Sequence, residues 1–298
     1  MIYLELQGNL GNQLFQYAFA RKISIFTGQS ICINLYNFNK GRPDLVFSLD
    51  DYVLSTDVII ERDKKLPFYA DSFSLFSRIV KKICPKFQSI LLKKMGVFFW
   101  QGEEVRLDFL SDIPPKKDYY IAGWYQSVKY FDDIRDILMK ELIPKQNPSK
   151  DNLDLYKVIC EKESVCISIR RGDYISNPKF NRMYYVCNAE YFQKAIEEIN
   201  KRVKNPTFIF FSDDIDWVKN NIPAPEGSYY ESGKDSTYEK LRLMSGCKHY
   251  IVSNSSFSWW AQYLGKKEIS VTIAPSRWSA NQTKPSEIYQ DDWVLIQV

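Results

Sequence analysis

Val165-Cys-Ile-Ser-Ile-Arg-Arg-Gly-Asp-Tyr174 is the stretch from which the rest of the chain can be read. Val165, Ile167 and Ile169 alternate with Cys166 and Ser168, the period of a strand, and the strand runs out onto two arginines, Gly172 and Asp173. Two cations at a strand exit suit a polyanion. An arginine fork takes phosphate oxygens in pairs, which a lysine cannot copy, and Gly172 can make a tight turn that brings backbone close to a ligand. Standing alone, an Arg-Arg pair is more simply a solvated surface loop. The flanking sequence decides between the two.

Downstream, strands and helices alternate. A helix is predicted from Asn188, with Phe192, Ala195, Ile196, Ile199 and Val203 on one face. Thr207-Phe-Ile-Phe-Phe211 is a continuous apolar strand, as a sheet covered on both faces requires, and it ends on Ser212-Asp-Asp214. Ser236-Thr-Tyr-Glu239 has the form of a capping box opening a helix to about Cys247. Residues 249–253 read as a strand, Asn254-Ser-Ser-Phe257 as a turn, 258–264 as a helix stopped by Gly265, and 268–274 as the next strand. Repeated βα units imply right-handed crossovers and a mostly parallel sheet.

In such a sheet ligands sit outside the carboxyl ends of the strands. Arg170-Arg171, Asp213-Asp214 and Asn254-Ser255-Ser256 all fall at carboxyl ends and are expected to converge. The arginines, with the amides and hydroxyls of Ser255 and Ser256 at a helix N-terminus, suit a pyrophosphate; a carboxylate at a strand end can accept guanine N–H groups or ribose hydroxyls. A nucleotide diphosphate site follows. Asp213-Asp214 could also be a metal-binding acidic pair, but the arginines and helix amides already neutralise the phosphates, so no metal is expected. Arg171-Gly172-Asp173 spells an adhesion tripeptide, a chance recurrence without a secretion signal.

The chain opens with the same grammar. An alternating strand over residues 2–7 runs into Gly8-Asn-Leu-Gly-Asn-Gln13, and Phe15, Phe19, Ile23 and Phe26 follow at helical spacing between Asn12 as N-cap and Gly28 as stop. The spacing is GxxG and not GxGxxG, so the dinucleotide fingerprint is absent and a plain βα turn explains it nearly as well. Residues 31–35 form a second strand. Residues 75–100 are apolar and basic, broken by Pro85; two core helices with a basic outer face are expected there, and helices lying on an anionic membrane are the alternative. A strand over 118–123 leads into Trp124-Tyr-Gln126, whose aromatics and amide suit sugar contacts or core packing. The polar, proline-bearing segment from Pro144 to Asp151 marks a boundary between domains 1–148 and 149–298.

With 298 residues, 45% of them hydrophobic, the chain can bury one large core or two ordinary ones. A net charge of +4 is too weak for duplex nucleic acid. Six cysteines without CxxC spacing and a single histidine, His249, point to reduced thiols rather than to zinc or a disulfide frame. No N-terminal signal and no apolar run long enough for a membrane span can be read, so a cytoplasmic location is expected.

Five pieces together are highly specific: Gly8-Asn-Leu-Gly-Asn-Gln-Leu-Phe-Gln-Tyr-Ala18, Gly123-Trp-Tyr-Gln-Ser-Val-Lys-Tyr-Phe131, Ser168-Ile-Arg-Arg-Gly-Asp-Tyr174, Phe211-Ser-Asp-Asp214 and Ser253-Asn-Ser-Ser-Phe-Ser-Trp-Trp260. Over most of its length the chain resembles the α-1,2-fucosyltransferases of glycosyltransferase family 11. The resemblance implies a GT-B-like fold of two Rossmann-like domains, the first holding mainly acceptor and the second the donor GDP-β-L-fucose. It further implies inversion, no metal or other cofactor, and a terminal β-galactoside as acceptor. Arg171, with Arg170 beside it, would be the phosphate cation; Asp213 or Asp214 would read guanosine; Ser255, Ser256 and Phe257 would wrap the pyrophosphate. Asn12, in the turn with Gly8, Gly11 and Gln13, would face the donor sugar. The family's histidine at the head of the arginine motif is Ser168 here, so Asp173 becomes the candidate base, or else orients Arg171. A transferase of another GDP-sugar or linkage, a nucleotide-sugar binder without turnover and a membrane-peripheral scaffold are the other readings. The resemblance also implies work on surface polysaccharide at the inner face of a membrane; nothing in the pattern specifies an oligomer.

Overall fold

The computed structural model describes residues 1–40, 42–83, 92, 94–100, 115, 117–283 and 286–298, the side chains of residues 80–83 and 100 excepted. The chain forms two compact units, Met1–Ile143 and Pro144–Val298.

In the first unit β1 (Ile2–Glu5), β2 (Ile31–Asn34), β3 (Val58–Glu61), β4 (Val97–Trp100) and β5 (Tyr119–Gly123) lie in the order β3-β2-β1-β5-β4. All pairings described are parallel. β2 and β5 are buried throughout, because a parallel sheet carries cover on both faces. β2 and β3 build outward on one side of β1, and the chain then returns to the other side, first as edge strand β4 and then as β5 between β4 and β1. That reversal puts a ligand crevice at the carboxyl ends of β1 and β5.

Gly8, at φ 76°, turns the chain sharply after β1, and a Cβ there would run into the Asn12 side chain. Because the turn is this tight, helix Leu10–Thr27 starts early, with Asn9 as its N-cap residue but without a side-chain capping bond; Asn12 is inside its first turn, not the N-cap expected from sequence. Gly28 ends it in the left-handed conformation, as expected. Phe15, Phe19 and Ile23 are buried, but Phe26 is exposed.

Between residues 75 and 100, where a pair of helices is expected, helix Leu75–Ile83 is present and Leu92 and Lys94 are helical, but Val97–Trp100 is strand β4 at the sheet edge; residues 84–91 and 93 lie outside the described residues. β3 was illegible because it is a four-residue edge strand with Ile59 exposed.

The second unit contains β6 (Glu163–Ile169), β7 (Pro206–Ser212), β8 (Tyr229–Tyr230), β9 (His249–Ile251), β10 (Thr272–Pro275) and β11 (Val294–Ile296), in the order β11-β10-β9-β6-β7-β8. Its described pairings are again all parallel. β6 is therefore flanked by β7 and β9, and the chain reverses between β6 and β9. Helix Ala189–Arg202, capped by the Asn188 side chain on the Tyr191 amide, buries Phe192, Ala195, Ile196 and Ile199 against the sheet, the face expected from spacing. Val203, expected on the same face, is buried just past its end. The strand expected from 268 starts only at Thr272, because a Lys267–Ser270 turn takes up the preceding residues. Among the described residues no helix is long and apolar enough to cross a membrane.

Candidate functional site

The three strand ends picked out from sequence are neighbours in the second unit. Ile169 at the end of β6 pairs with Ser212 at the end of β7, and on the other side the Ser253 amide donates to the Ser168 carbonyl at 3.2 Å. Arg170-Arg171, Asp213-Asp214 and Ser253–Ser256 thus share one sheet edge, at the point where strand order reverses.

The carboxylates there are engaged by the arginines. Asp213 Oδ1 accepts from the Arg171 amide at 2.8 Å, and its Oδ2 accepts from Arg170 Nη1 at 2.5 Å. Arg170 Nη2 donates to Asp173 Oδ1 at 2.6 Å. Burial works against the charge of Arg170, but Asp213 and Asp173 more than offset it and hold its pKa above the usual range. Asp173 thus orients Arg170, not Arg171 as the sequence reading had it. Gly172 is needed for a reason other than turning. Its backbone passes so near Asp213 that a Cβ would stand 2.6 Å from Oδ2.

Arg171 is held differently. Its Nε donates to Asp214 Oδ2 at 3.0 Å, and its guanidinium lies 3.5 Å above the centre of the Trp217 ring. Asp214 is also the N-cap of helix Ile215–Asn221, its Oδ1 accepting from the Trp217 amide at 3.2 Å. One residue therefore starts the helix that carries the stacking tryptophan and fixes the arginine above it. The contact uses Nε, so the planar Nη pair is the part of the fork suited to an anion. Trp217 escaped the sequence reading; the spacing Asp214-x-x-Trp217 after a strand was its only signal.

At β9, helix Ser256–Gly265 has Ser255 as its N-cap residue, with no side-chain capping bond. Ser256 and Phe257 are half-buried in the first turn. The first-turn amides of such a helix favour an anion. Asn254, in contrast, is structural: its Nδ2 donates to the Tyr184 and Trp278 carbonyls at 2.8 and 2.9 Å, and its Oδ1 accepts from Cys187 Sγ. Ser168 is buried beneath the strand ends, its hydroxyl 2.6 Å from that of Ser258, which is itself 3.2 Å from Ser253 Oγ. A side chain at 168 here packs against the helix start.

The first unit places Asn12 and Gln126 together. Gln126 Nε2 donates to Asn12 Oδ1 at 2.8 Å, linking the turns after β1 and β5. Tyr125 holds φ at 48°, a left-handed backbone costly for an aromatic residue, and is kept there by stacking on Phe19 at 3.7 Å and by its hydroxyl's bond to the Phe98 carbonyl. That strained turn lets Gln126 reach across, with Trp124 half-buried beside it. Gln13 is fully buried and pins the turn to the 46–48 loop, through bonds to the Gly8 and Val46 carbonyls and from the Ser48 amide. Gly11 is buried inside the helix. Among the described residues no three His, Cys, Asp or Glu side chains come together as metal ligands.

Comparison with known proteins identifies the family and the fold. The model of the family described as Glycosyl transferase family 11 matches residues 1–297. The chain is similar to the O-antigen biosynthesis glycosyltransferase WbnK of Escherichia coli, at 29% identity over 98% of this chain and 99% of that one. It is also similar to an alpha-1,2-colitosyltransferase of Escherichia coli, at 26% identity over 100% and 99%. Among solved structures, NodZ alpha-1,6-fucosyltransferase co-crystallized with GDP, a Bradyrhizobium protein, shares the fold, with a TM-score of 0.53 over 88% of this chain and 91% of that one at 11% identity.

Proposed function

The chain belongs to glycosyltransferase family 11, and from that premise we propose that it is an inverting, metal-independent α-1,2-fucosyltransferase. It moves L-fucose from GDP-β-L-fucose to the 2-hydroxyl of a terminal β-galactoside. The observation that carries the reading is the single sheet edge that holds both Arg171, stacked on Trp217, and the start of helix Ser256–Gly265, which has no side-chain capping bond. An arginine fork and a helix N-terminus at a strand-order reversal form a diphosphate cradle.

As the bond between fucose C1 and the β-phosphate oxygen breaks, negative charge gathers on the leaving diphosphate. A fixed Arg171 meets that charge more strongly than it meets the intact donor, so it lowers the barrier rather than merely binding. Attack by the acceptor hydroxyl from the opposite face inverts the anomeric carbon. Asp173 is assigned the acceptor's proton through Oδ2, its Oδ1 being anchored on Arg170. Asp213 and Asp214 already neutralise two arginines, which favours metal-free chemistry over a metal held by the acidic pair. Both carboxylates are engaged within the protein, Asp213 by Arg170 and the Arg171 amide and Asp214 by Arg171 Nε and the Trp217 amide, and either is assigned to guanosine through its remaining lone pairs. Asn12, Gln126 and Trp124 are assigned to the sugars.

A second reading, transfer of a different GDP-linked sugar, is favoured by the relative named alpha-1,2-colitosyltransferase. The relative named for O-antigen biosynthesis supports a role in surface polysaccharide. The test is GDP release from GDP-fucose in EDTA, with and without lactose, comparing the intact protein with Arg171→Ala. Lactose-dependent release that survives EDTA and falls ~10²- to 10³-fold in the variant is expected. Release from GDP-colitose alone would select the second reading, and GDP binding without release from any donor would leave only a binding protein.

A further inference from the structure

We propose that residues 68–79 of the first unit form a docking surface for an anionic lipid bilayer. Helix Leu75–Ile83 turns apolar side chains outward. Among its described side chains, those of residues 75–79, the buried one is Ser77, whose hydroxyl donates to the Asp71 carbonyl at 2.8 Å. Leu75 is 71% exposed and Ile79, one turn on, 45% exposed. Phe68 and Phe73, on the turns leading into the helix, are 63% and 47% exposed.

These side chains stand outward on a fixed frame. The Phe68 ring meets Phe76 edge to face at 5.3 Å, the Ser74 hydroxyl donates to the Phe68 carbonyl at 2.6 Å, and Asp71 Oδ1 accepts from the Phe73 amide at 2.9 Å. Four outward apolar residues within twelve make a patch of the kind that marks an interaction site.

Charge identifies the occupant. Between Asp71 and Glu103 the sequence carries Arg78, Lys81, Lys82, Lys86, Lys93 and Lys94, and no acidic residue. Arg78 is exposed and shares the helix face of Leu75 and Ile79 by spacing. A second copy of this patch would set cation against cation, since a two-fold interface pairs a surface with itself. An anionic bilayer complements both parts at once: apolar side chains enter the headgroup boundary while Arg78 meets the phosphates.

The experiment is flotation of the full chain with vesicles of phosphatidylcholine alone and of phosphatidylcholine mixed with phosphatidylglycerol. Binding to the anionic vesicles, weakened on going from ~0.1 M to ~1 M salt, is expected, with little on the neutral ones. Arg78→Gln should lower partitioning roughly fivefold. Leu75→Ser with Ile79→Ser should lower it by about tenfold or more while leaving the unfolding midpoint unchanged, because both side chains are exposed. The proposal is overturned by no binding to anionic vesicles, by equal binding to both kinds, or by a fall in the double variant's midpoint. A concentration-dependent dimer that disappears in the double variant would assign the patch to self-association instead.

Discussion

Replacing Gly172 by alanine should disable the site without removing any group that meets a ligand. The backbone at Gly172 is not left-handed, so alanine is opposed by space alone. Its Cβ would lie 2.6 Å from Asp213 Oδ2 and 3.3 Å from Cγ, about 0.8 Å inside the 3.4 Å at which ordinary contact begins. Asp213 holds Arg170 Nη1 at 2.5 Å and the Arg171 amide at 2.8 Å. Moving its carboxylate by that distance takes one or both bonds out of hydrogen-bonding range. Such charge-assisted bonds are worth ~1.5–3 kcal/mol when buried; with both partners about a third exposed, a stability loss of about 1–2 kcal/mol is expected. Turnover should fall further, by ~10- to 10²-fold, because Arg171 loses its backbone anchor but keeps its charge. The assay is GDP release alongside urea unfolding, repeated in an Asp213→Ser background. With the carboxylate gone, Gly172→Ala should add less than about threefold, the non-additivity expected of residues in contact. Wild-type turnover in Gly172→Ala, or effects that multiply independently, would refute the clash.

Asp173→Asn should cut kcat by ~10²-fold or more while GDP affinity holds, as a proton acceptor requires; a parallel loss of GDP affinity would instead make Asp173 a positioning residue for Arg170. Lys240→Met strands Glu231, a fully buried carboxylate whose partner Lys240 Nζ lies at 2.7 Å and also donates to the Ser212 carbonyl just before Asp213. A loss of ~3–5 kcal/mol is expected by urea unfolding, largely recovered on adding Glu231→Gln, and a single variant within about 1 kcal/mol of wild type would contradict it. His249, the sole histidine, accepts the Val271 amide on Nδ1 at 3.1 Å, and burial keeps its pKa below the usual 6.5 despite Glu163. The unfolded chain therefore takes up the proton first. Stability is complete above about pH 6.5 and falls as pH drops below it, by at most ~1.4 kcal/mol per pH unit. His249→Gln should flatten that slope, and an unchanged slope would count against the assignment.

Much of the second unit's architecture is legible because it is periodic. β6, β7 and helix Ala189–Arg202 announce themselves by apolar spacing, and the rule that parallel strands present ligands at their carboxyl ends groups Arg171, Asp213 and Ser255 from sequence alone. Individual roles were less legible. Asn254 and Gln13 look like ligand contacts in sequence, yet both are buried staples, because polar side chains beside a turn are needed there to satisfy backbone groups. The capping box at Ser236 is half present: Ser236 accepts the Glu239 amide, while the Glu239 carboxylate serves Ser149, Asn152 and Tyr156. Nothing local could signal partners nearly ninety residues away.

The sequence by itself determined the alternation of strand and helix, the family, and the residues gathered at the strand ends, since these follow from short-range periodicity and from the order of motifs. Only the tertiary structure decided which carboxylate holds which arginine, that Trp217 lies under Arg171, that Gly172 is required by the nearness of Asp213, and that Leu75 and Ile79 point outward. Each of these depends on side chains brought together from distant strands or on which face of a helix is covered. That pairing is set by packing, where a shift of under 1 Å makes or breaks a hydrogen bond, and no local pattern encodes it.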